Sequence, residues 1–587
     1  MFRKKIMALG LAGAMIVTTA LTGCGSNSSS SDESSTDFTW LLSAGVDTQF
    51  ASEYEDIPAA QYWMSQEWDV DGEATTINVD FVTPPSGSEK DNFNTLLATG
   101  EYPDVMNIDY ASETPSALYD EGIVIDLTDY VDQYMPNYKA WLEENPELAE
   151  QMKYDGKILT LYFVVDQAED AWSGFMYRRD WIVKYGTNPE TGEGFTGGYT
   201  DDTKGEWIDD VVFPSGNTDP VYISDWEWMF EIFETALKEE GITDGYAVQN
   251  YYAGFYSPDE LVSGFGGNGM NAYVDANGQV QFGATEDGTR AFIQCMNKWY
   301  EEGWMDQAFE ERSSDNVWFS IDTASVYSGK VGMWYGLTSQ VGSNLDSGDS
   351  ITSGICVFGA ANPINDVYGD ESCQNIIPTT FYQGAVVSSG AVVTNKAEEK
   401  NIGALLTAID YLYSKDGALI RSFGLNKDQL DEIGGSELYD QANMSETGAY
   451  EITTDEEGNE VIVKNTGADG IDGLYEALVL GRLPGLGIHK NVDSGNNAIT
   501  QHFIALQSEY TATGNVTSLT STALTSEQSD EQSVIFNNIF TYECQAVPDF
   551  VTGRADIDDD AAWQEFCDEI VELGSERYIE IYREAGK

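Results

Sequence analysis

Apolar residues recur along this chain at two different spacings, which predict strands and helices in alternation. Residues 38–42 and 77–82 are strand-like runs, and the second run places apolar side chains at every other position. A helix is predicted over residues 91–98, ending at Gly100, and residues 102–106 follow it as a turn and a buried strand. Strands that alternate with helices in this way predict βαβ units and a mostly parallel sheet, which is an α/β fold class.

Four longer segments show the three- and four-residue spacing of an amphipathic helix. The first is preceded by Ser224 and Glu227 at the spacing of a capping box, and Gly241 and Gly303 stand where the first and second segments end. Apolar stripes of this kind are usually packed, so we interpret them as core and not as binding sites. The stripes are Trp226, Met229, Phe230, Phe233 and Leu237; Phe292, Cys295, Met296 and Trp299; Ile402, Leu405, Leu406, Ile409 and Leu412; and Trp563, Phe566, Cys567 and Ile570.

Two segments have the composition of surface insertions. Residues 187–220 are rich in Gly, Asp, Thr and Pro. Residues 443–472 contain an acidic turn at 455–459 between the short runs 450–452 and 461–463, which predicts a hairpin. The chain has 587 residues and no repeat of solenoid length, and this is too long for one core, so two or more domains are predicted.

The charge balance is strongly acidic. With 100 acidic and 28 basic residues, the formal net charge is −72. Such a surface repels nucleic acid and anionic lipid headgroups, so neither is an expected partner. It also argues against polyanionic ligands and leaves neutral and cationic ligands open. We interpret most of this charge as a contribution to solubility.

Cysteine and histidine usage gives no sign of a metal site or of nucleophilic catalysis. His489 and His502 have no carboxylate or cysteine nearby at ligand spacing, and the motifs HExxH and GxSxG are missing. The cysteines other than Cys24 have no CxxC spacing, which favours buried thiols and leaves one disulfide open. We therefore predict no cofactor, no metal and no catalytic residue. The cysteines in question are Cys295, Cys356, Cys373, Cys544 and Cys567.

Two glycine-containing segments match ligand-binding motifs only in part. Gly264, Gly266 and Gly269 fit GxGxxG, but a strand-like run at 272–274 follows them instead of a helix, so we predict a flexible loop. Residues 275–278 begin like a calcium-binding loop and lack its closing glutamate, which favours a hairpin turn. A pair of glycosidase carboxylates among the 100 acidic residues stays an open alternative.

The N-terminus has the pattern of an export signal. Basic residues at 3–5 precede an apolar run at 6–20 and the sequence Leu-Thr-Gly-Cys, which ends at Cys24 and resembles the lipobox of bacterial lipoproteins. The apolar run is shorter than the ~20 residues of a membrane span. We predict a signal peptide over 1–23, lipid attachment at Cys24, a flexible polar tether over 24–37, and a location on the extracellular face of the cell membrane.

Several segments, in order along the chain, resemble the large sugar-binding lipoproteins that serve ATP-binding-cassette importers. Residues 97–105 are similar to that family's LASGEYPDI segment, and residues 177–181 to its vRkDW segment. Residues 239–244 replace the acidic DPNGNGk loop of the family, which leaves bound calcium an open question. The other similar segments are residues 121–128, 154–158, 298–303, 328–333 and 558–585.

The resemblance implies a two-lobed, periplasmic-binding-protein-like fold with a hinge of crossover strands. It places residues 38–164 and 355–396 in the first lobe and residues 165–354 and 397–587 in the second, with the C-terminal part packed on both lobes. The three expected crossings lie near residues 158–165, near residues 355–361 and near Asn395.

The same resemblance implies a monomeric receptor and not an enzyme. The receptor would bind a sugar, in particular an oligosaccharide, between its lobes and deliver it to the permease subunits of an importer. Three alternatives stay open: a receptor for a peptide or other small solute on the same scaffold, a surface glycoside hydrolase or lyase, and an adhesin without a closable cleft.

Aromatic and acidic residues at predicted strand ends are the candidate ligand-binding residues. Aromatic rings stack on the apolar faces of sugar rings, and carboxylates accept hydrogen bonds from hydroxyl groups. Trp172 follows the first expected crossing, whereas Trp334 with Tyr335 and Asp109 with Tyr110 follow strand-like runs. For each of these residues, packing in the core is an equally open interpretation.

The family-like segment around Arg179 is predicted to be structural. Asp180 stands at the start of a helix, where its carboxylate would accept hydrogen bonds from free backbone N–H groups. Trp181 would then anchor that helix in the second lobe.

Overall fold

The fold is described from a computed structural model of the chain. The structure describes residues 35–45, 50–51, 53–85, 87–111, 113–167, 173–199, 207–249, 261–269, 272–275, 277–312, 323–338, 354–378, 387–455, 458–465, 474–493, 498–511, 517–519 and 524–586. Within these residues, no helix is long and apolar enough to cross a membrane.

Strands and helices alternate through the first half of the chain. The strands are β1 (Asp37–Leu41), β2 (Trp68–Val70), β3 (Glu73–Thr75), β4 (Asn78–Val82), β5 (Val105–Asn107), β6 (Leu161–Val165), β7 (Ser173–Arg178), β8 (Gly197–Tyr199), β9 (Trp207–Asp209), β10 (Tyr246–Gln249), β11 (Ala272–Val274), β12 (Val280–Phe282), β13 (Val331–Leu337), β14 (Val357–Ala360), β15 (Val387–Val393), β16 (Tyr450–Thr454), β17 (Glu460–Lys464), β18 (Gly485–Gly487), β19 (Val492–Asp493) and β20 (Thr517–Ser518).

Helices occur along the whole chain. The helices are Pro58–Ser65, Glu89–Thr99, Pro115–Asp120, Thr128–Tyr134, Pro136–Glu144, Pro146–Met152, Arg179–Tyr185, Ile223–Glu240, Asp287–Glu301, Thr323–Tyr327, Ile402–Tyr411, Lys415–Phe423, Lys427–Glu432, Glu437–Gln441, Ala498–Thr511, Ser526–Val551, Asp560–Glu572 and Ser575–Glu584.

Two sheets organise the molecule. The first has six strands in the order β18-β6-β15-β5-β1-β4, and its strands are parallel except β15, which runs opposite to both of its neighbours. The second has four strands in the order β10-β13-β7-β14, and here β7 runs opposite to both neighbours. The prediction of a mostly parallel sheet therefore fits the first sheet, whereas the second has more antiparallel than parallel pairs.

Helices cover both faces of the first sheet. One face carries the first core, which includes the fully buried residues Trp40, Trp63, Tyr138, Leu405 and Leu480. The other face carries a smaller cluster around Phe93 and Leu118, contributed by the helices Glu89–Thr99 and Pro115–Asp120. Because each large side chain contributes about 1.5–3 kcal/mol when buried, the two clusters make this sheet rigid.

The second sheet is covered in the same way. Its larger cluster, the second core, joins Phe175 and Tyr177 of β7 to the helices Ile223–Glu240 and Asp287–Glu301 and to the three C-terminal helices. Its opposite face carries a smaller cluster in which Phe503, from the helix Ala498–Thr511, packs on β14 and β7.

The chain passes between the two sheets three times. It leaves the first sheet after β6 and enters the second at β7, and it returns between β14 and β15. Both passages follow strands near the predicted places. After β18 the chain forms β19, which pairs with β17 beside the first core, and the third passage runs from there to the helix Ala498–Thr511, so the prediction of a crossing near Asn395 is wrong.

The third crossing comes late because the helices after β15 belong to the first core. Asp410, on the helix Ile402–Tyr411, accepts hydrogen bonds from the backbone N–H groups of Asn137 (3.0 Å) and Tyr138 (2.9 Å) and so satisfies the start of the helix Pro136–Glu144. Side chains from Ala397 to Ile488 are buried in the first core, whereas Ala360 and Cys373 are buried in the second. The observed packing therefore differs from the predicted division at residues 355–396 and 397–587.

Most of the predicted elements form where the pattern placed them. The four apolar stripes lie on the helices Ile223–Glu240, Asp287–Glu301, Ile402–Tyr411 and Asp560–Glu572, with Leu412 just after the third. The stripe residues are buried apart from Ile402 and Cys567, which are partly buried. The hairpin prediction is confirmed, since β16 and β17 pair in antiparallel fashion. Residues 275–278 join β11 to β12, which also form an antiparallel hairpin.

Two local predictions are wrong. Ser224 does not cap its helix, because the helix starts one residue earlier and Asp225 accepts the hydrogen bond from the backbone N–H of Tyr222 (3.1 Å) instead. The segment around Gly264 is not a flexible loop, because Val262–Phe265 forms a buried 3-10 helix, which ends before the exposed Gly266. A Cβ atom on Gly264 would lie 1.9 Å from the carbonyl oxygen of Pro363, so this glycine allows two backbones to touch.

A buried ion pair ties the predicted insertion at 187–220 to the second sheet. The guanidinium nitrogens Nε and Nη2 of Arg179 each donate a hydrogen bond to the Asp209 carboxylate at 2.8 Å, and both side chains are only 4% exposed. Removing one partner of such a pair typically costs about 3–5 kcal/mol, because it leaves a charge buried alone. The insertion also contributes Val211 and Phe213 to the second core, so it is more than a surface loop.

The structural role predicted for Asp180 is observed, although its capping role is not. Asp180 accepts hydrogen bonds from the Arg178 guanidinium (2.8 Å) and from the backbone N–H of Cys356 (3.1 Å) at the start of β14. The helix Arg179–Tyr185 has no side-chain cap. Trp181 is fully buried in the second core, as predicted, with the Arg178 guanidinium 4.3 Å from its ring centroid.

Glu543 provides a stability test of the C-terminal helical packing. It lies on the helix Ser526–Val551 with 3% of its surface exposed, and burial raises the pKa of its carboxyl well above the usual value. The native state therefore binds the proton more tightly than the unfolded state, and stability falls as the pH rises from about 4.5 towards the raised pKa. We expect Glu543→Gln to stabilise the protein at pH 7 by about 1 kcal/mol or more, and to leave its stability at pH 4 nearly unchanged.

Denaturant unfolding at pH 4 and at pH 7 measures this difference. The matched control is Glu565→Gln, at an exposed position on the helix Asp560–Glu572, for which we expect a change within about 0.5 kcal/mol at either pH. A Glu543→Gln protein that is less stable at both pH values would show that the carboxylate is charged and bonded in the native state.

Candidate functional site

The direction of the strands places one group of residues at the carboxyl ends of the strands in each sheet, where the first crossing leaves one sheet and enters the other. In the first sheet, β1, β4, β5, β6 and β18 all end at one edge, which we call the first edge. In the second sheet, β10, β13 and β14 end where β7 begins, which we call the second edge. The first crossing leaves β6 at the first edge and enters β7 at the second edge, so it joins the two. Ligands of open α/β sheets bind outside such carboxyl ends.

One carboxylate fastens the first and third crossings together at the first edge. Asp166 follows β6, and its Oδ1 accepts hydrogen bonds from the backbone N–H groups of His489 (2.9 Å) and Lys490 (3.2 Å), which follow β18. The backbone N–H of Asp166 also donates to the carbonyl oxygen of Gly487 (3.1 Å). The two crossings therefore leave the first sheet side by side.

Hydrogen bonds join Trp40, Asn107 and the loop before β18 at the first edge. The Trp40 indole Nε1–H donates to Asn107 Oδ1 (2.9 Å), and Asn107 Nδ2 donates to the carbonyl oxygen of Arg482 (2.8 Å). The Arg482 side chain pairs with Glu476 at 3.0 Å and stays about one-third exposed. Asn107 therefore fixes the loop before β18 against the end of β5.

A second arginine lies beside β18. The half-buried Arg421 donates through Nε to the carbonyl oxygen of Leu483 (2.8 Å), and its guanidinium carbon lies 5.3 Å from the ring centroid of Phe163 on β6. Burial lowers the pKa of this guanidinium from its ordinary value, which leaves it charged at neutral pH. Tyr475, half exposed, donates its hydroxyl hydrogen to the carbonyl oxygen of Ser422, the residue after this arginine.

The second edge carries buried polar groups. The Ser173 and Tyr335 hydroxyl groups lie 3.2 Å apart, and the Tyr335 ring meets Phe175 edge-on with centroids 5.1 Å apart. Gln249, at the end of β10, is 1% exposed, and its Oε1 has no hydrogen-bond partner among the described residues. A buried amide oxygen without a partner is unfavourable by about 1–3 kcal/mol, so a hydrogen-bond donor at this edge would stabilise it.

The five residues predicted to contact a ligand differ in their position in the sheets and in their exposure. Asp109 and Tyr110 follow β5 at the first edge and are exposed, with 43% of Tyr110 accessible. Trp334 is 1% exposed and lies in the smaller cluster under the helix Ala498–Thr511, which favours the packing interpretation for this residue. Tyr335 is 6% exposed and contributes to the second core. Trp172 lies outside the described residues, as does Cys24.

Sequence reasoning missed Asp166, Phe163, Gln249, Arg421 and His489. Arg421 carries one signal that pattern reading could have used, namely a lone arginine inside the apolar run of residues 417–423. The others have no local signal, because their position at an edge depends on which strands are neighbours.

The two histidines are less isolated than the sequence suggests. His502 Nε2 lies 3.0 Å from Asp219 Oδ1, a partner 283 residues away, and hydrogen bonding to this carboxylate raises the pKa of the imidazole. On the next turn, Gln507 donates to the carbonyl oxygen of Ala360 (2.7 Å). These contacts fasten the helix that follows the third crossing to the second lobe.

A cavity of about 420 Å³ lies away from both edges. It is next to the helix Glu89–Thr99 and the residues that precede β5, and Asp104 at its wall pairs with Lys400 at 2.8 Å. Because β5 begins here and ends at the first edge, this cavity is separate from the candidate site.

The described residues contain neither a cluster of metal-ligating side chains nor a disulfide. No group of three or more His, Cys, Asp or Glu side chains is placed to hold a metal ion among them. Cys295, Cys356, Cys373, Cys544 and Cys567 are free thiols. The chemistry of the two edges is therefore that of hydrogen bonding, ring stacking and one partly buried positive charge.

Among proteins of known function, one relative is the fructooligosaccharide ABC transporter substrate-binding protein FusA of Streptococcus pneumoniae serotype 4. It is 25% identical over 261 residues, which cover 40% of this chain and 40% of the relative. This chain is thus matched to less than half of that protein's length.

Solved structures resemble this chain over nearly its whole length. An extracellular solute-binding protein from Bifidobacterium longum subsp. infantis has a TM-score of 0.64 at 14% identity and covers 94% of this chain and 97% of its own. FusA of S. pneumoniae in complex with kestose has a TM-score of 0.59 at 15% identity, covering 94% and 100%. The alginate-binding protein AlgQ2 has a TM-score of 0.59 at 17% identity, covering 94% and 98%. At these identities the likeness shows the fold, which is the two-lobed periplasmic-binding-protein-like α/β fold.

The family model for bacterial extracellular solute-binding proteins matches residues 51–419. This match covers more than half of the chain and includes strands of both sheets and the first two crossings. Members of this family bind solutes and are not enzymes, in agreement with the prediction from the sequence. The chain belongs to the bacterial extracellular solute-binding protein family.

Proposed function

We propose that this protein is the receptor of an ATP-binding-cassette importer and binds an oligosaccharide between its two lobes. The observation that carries the proposal is the pair of edges, joined by crossings and supplied with rings, amides and carboxylates. The relative FusA supports the choice of solute, since it is described as a fructooligosaccharide ABC transporter substrate-binding protein and was solved with kestose.

The groups at the edges suit a sugar. The exposed Tyr110 ring can stack on the apolar face of a pyranose or furanose, and Asp109 and Asp166 accept hydrogen bonds from hydroxyl groups. At the second edge, Gln249 Oε1 would accept another hydrogen bond. A pocket of rings with a few convergent polar groups is typical of small-molecule sites.

Closure of the lobes would report the bound ligand to the permease. The first and third crossings leave the first sheet together at Asp166, so a bend at this point rotates one lobe against the other. A second contact links the lobes elsewhere: Ser116, at the start of the helix Pro115–Asp120, donates to the carbonyl oxygen of Leu524 (2.7 Å), and both residues are buried. Rotation of the lobes would break or remake this hydrogen bond.

Lipid attachment would keep the receptor at the cell surface. The lipobox-like sequence that ends at Cys24 and the polar segment 25–37 support a diacylated cysteine and a flexible tether on the extracellular face of the membrane. One such receptor is sufficient for each delivery, so we propose a monomer.

A ligand screen tests the receptor function. In a panel of neutral and uronate-containing oligosaccharides, we expect at least one to raise the melting temperature of the mature protein, because a ligand that binds only the native state stabilises it. Small-angle scattering at saturating ligand should then show a smaller radius of gyration. Peptides of similar mass are the control. Stabilisation by peptides alone, or product formation from the sugars, would contradict the proposal.

Two aromatic residues separate ligand contact from core packing. We expect Tyr110→Ala to change the free energy of unfolding by no more than about 0.5 kcal/mol relative to the unchanged protein, since its ring is exposed at the first edge. We expect the same change to weaken sugar binding about tenfold. We expect Trp334→Ala to lose about 3–5 kcal/mol of stability, since its ring is buried. Denaturant unfolding and calorimetry measure both quantities. The reverse pattern would identify Trp334 as the ligand contact and remove Tyr110 from the site.

The membrane anchor has a direct test. Mass spectrometry of the protein extracted from the membrane of its host should show a mature chain that begins at a diacylated Cys24, and Cys24→Ser should release the protein from the membrane fraction. An intact N-terminus or an unmodified Cys24 thiol would refute the anchor and leave the binding function standing.

A further inference from the structure

The well-buried arginines of this protein are matched by carboxylates. Arg178 pairs with Asp180 at 2.7 Å, and Arg179 pairs with Asp209 at 2.8 Å, each through two hydrogen bonds. This is the expected arrangement, because a guanidinium taken out of water is costly unless an opposite charge and hydrogen bonds compensate it.

Arg421 is different. Among the described residues it has one hydrogen-bond acceptor, the carbonyl oxygen of Leu483, and no carboxylate at ion-pair distance. The titratable groups that face it are the hydroxyls of Tyr54, Tyr413 and Tyr475, which are neutral at physiological pH because burial raises their pKa values. The chain has 100 acidic residues, yet none of those that the structure describes forms an ion pair with Arg421.

The guanidinium lies at the first edge. A methyl group built on Gly487 would be 3.4 Å from Arg421 Nη1 and 3.6 Å from His489 Nε2, so both side chains flank the end of β18 where the third crossing begins. The same methyl group would lie 3.1 Å from Val165 Cγ1, so the glycine lets the end of β6, the Arg421 guanidinium and His489 all approach the end of β18 closely. Phe163 supplies a ring at 5.3 Å from the guanidinium carbon, and the buried Tyr54 hydroxyl nearby has no hydrogen-bond partner among the described residues.

These neighbours lack the one component that a partly buried arginine requires, which is an anion. We propose that Arg421 binds a carboxylate of the ligand, so that the preferred solute is an acidic oligosaccharide that contains a uronate residue. The inference rests on the proposed sugar-receptor function and specifies its substrate class. The planar fork of a guanidinium holds a carboxylate through two parallel hydrogen bonds, which a neutral hydroxyl group cannot match.

The acidic surface of the protein restricts this ligand and does not exclude it. Charges beyond about 8 Å are largely screened at physiological salt, whereas a contact with a half-buried guanidinium is screened much less. The expectation that polyanions are excluded therefore holds for long, densely charged chains and not for a short acidic sugar.

Calorimetry with paired trisaccharides tests the inference. Each pair shares stereochemistry and linkage and differs in the C6 group, as in the β-1,4-linked trimers of mannuronate and of mannose, with galacturonate and galactose trimers as a second pair. We expect the preferred uronate trimer to bind at least tenfold more tightly than its neutral partner. We expect Arg421→Gln to remove this preference, and Arg421→Lys to restore part of it.

The control variant is Arg583→Gln. Arg583 is an exposed residue of the C-terminal helix Ser575–Glu584 that donates a hydrogen bond to the carbonyl oxygen of Val280 (3.2 Å). Its replacement should leave both affinities within about twofold. If Arg421→Gln does not fold, methyl esterification of the uronate trimer removes the same charge from the other side, and the unchanged protein should then lose the preference.

Each outcome decides between the two proposals. Tight binding of neutral trimers with no preference for uronates, or an equal loss of both affinities in Arg421→Gln, would overturn the acidic-ligand inference and leave the sugar receptor intact. Binding of a uronate trimer that esterification does not weaken would also overturn it. Failure of every acidic and neutral oligosaccharide to bind the wild-type protein would instead refute the receptor function itself.

Discussion

The carboxylate of Asp166 holds two of the three connections between the sheets at one point, and the arrangement of the site depends on this contact. It accepts hydrogen bonds from the backbone of His489 and Lys490, and the sheet pairing continues through the N–H of Asp166 itself. Up to this contact both segments are held in place by the first sheet. If the lobes close as proposed, residues before the contact would keep their places in the first lobe.

Rigid lobes are the other requirement for such a hinge, and close packing provides them. Each sheet has a large cluster on one face and a smaller one on the other, so neither face is left to water. In the second lobe, Phe503 approaches so closely that a Cβ atom on Gly359 would lie 1.9 Å from its ring. The helix that follows the third crossing is thus seated directly on β14, and a movement of that crossing is transmitted to the whole second sheet.

Charge is distributed unevenly between the surface and the interior. The acidic excess gives the protein a strongly negative surface, whereas Arg178 and Arg179 serve as internal ties within the second lobe. Arg421 stands apart from both uses, because it is partly buried at the first edge with aromatic neighbours and a carbonyl oxygen. A single local charge of this kind can select a ligand without altering the overall charge that keeps the protein in solution.

Local patterns in the sequence were sufficient for the elements and the family. The apolar stripe from Trp226 to Leu237 predicts its helix because helical spacing is a short-range property, and the hairpin at residues 450–463 follows from its alternation and its turn. Ordered family-like segments then indicated a two-lobed α/β receptor, and the fold and the family match agree with this.

Tertiary structure alone decided where those elements belong. The helix Ile402–Tyr411 packs in the first core because Asp410 meets the start of a helix some 270 residues earlier, and no local pattern encodes that partner. For the same reason Trp334, which the sequence placed at a strand end, lies inside β13 and is buried with residues of a helix that follows the third crossing. Arg421 and Asp166 come together at one edge because β6 and β18 are neighbours. Sequence spacing fixes which face of its own element a side chain occupies, whereas the partner of that face is chosen by the packing of the whole chain.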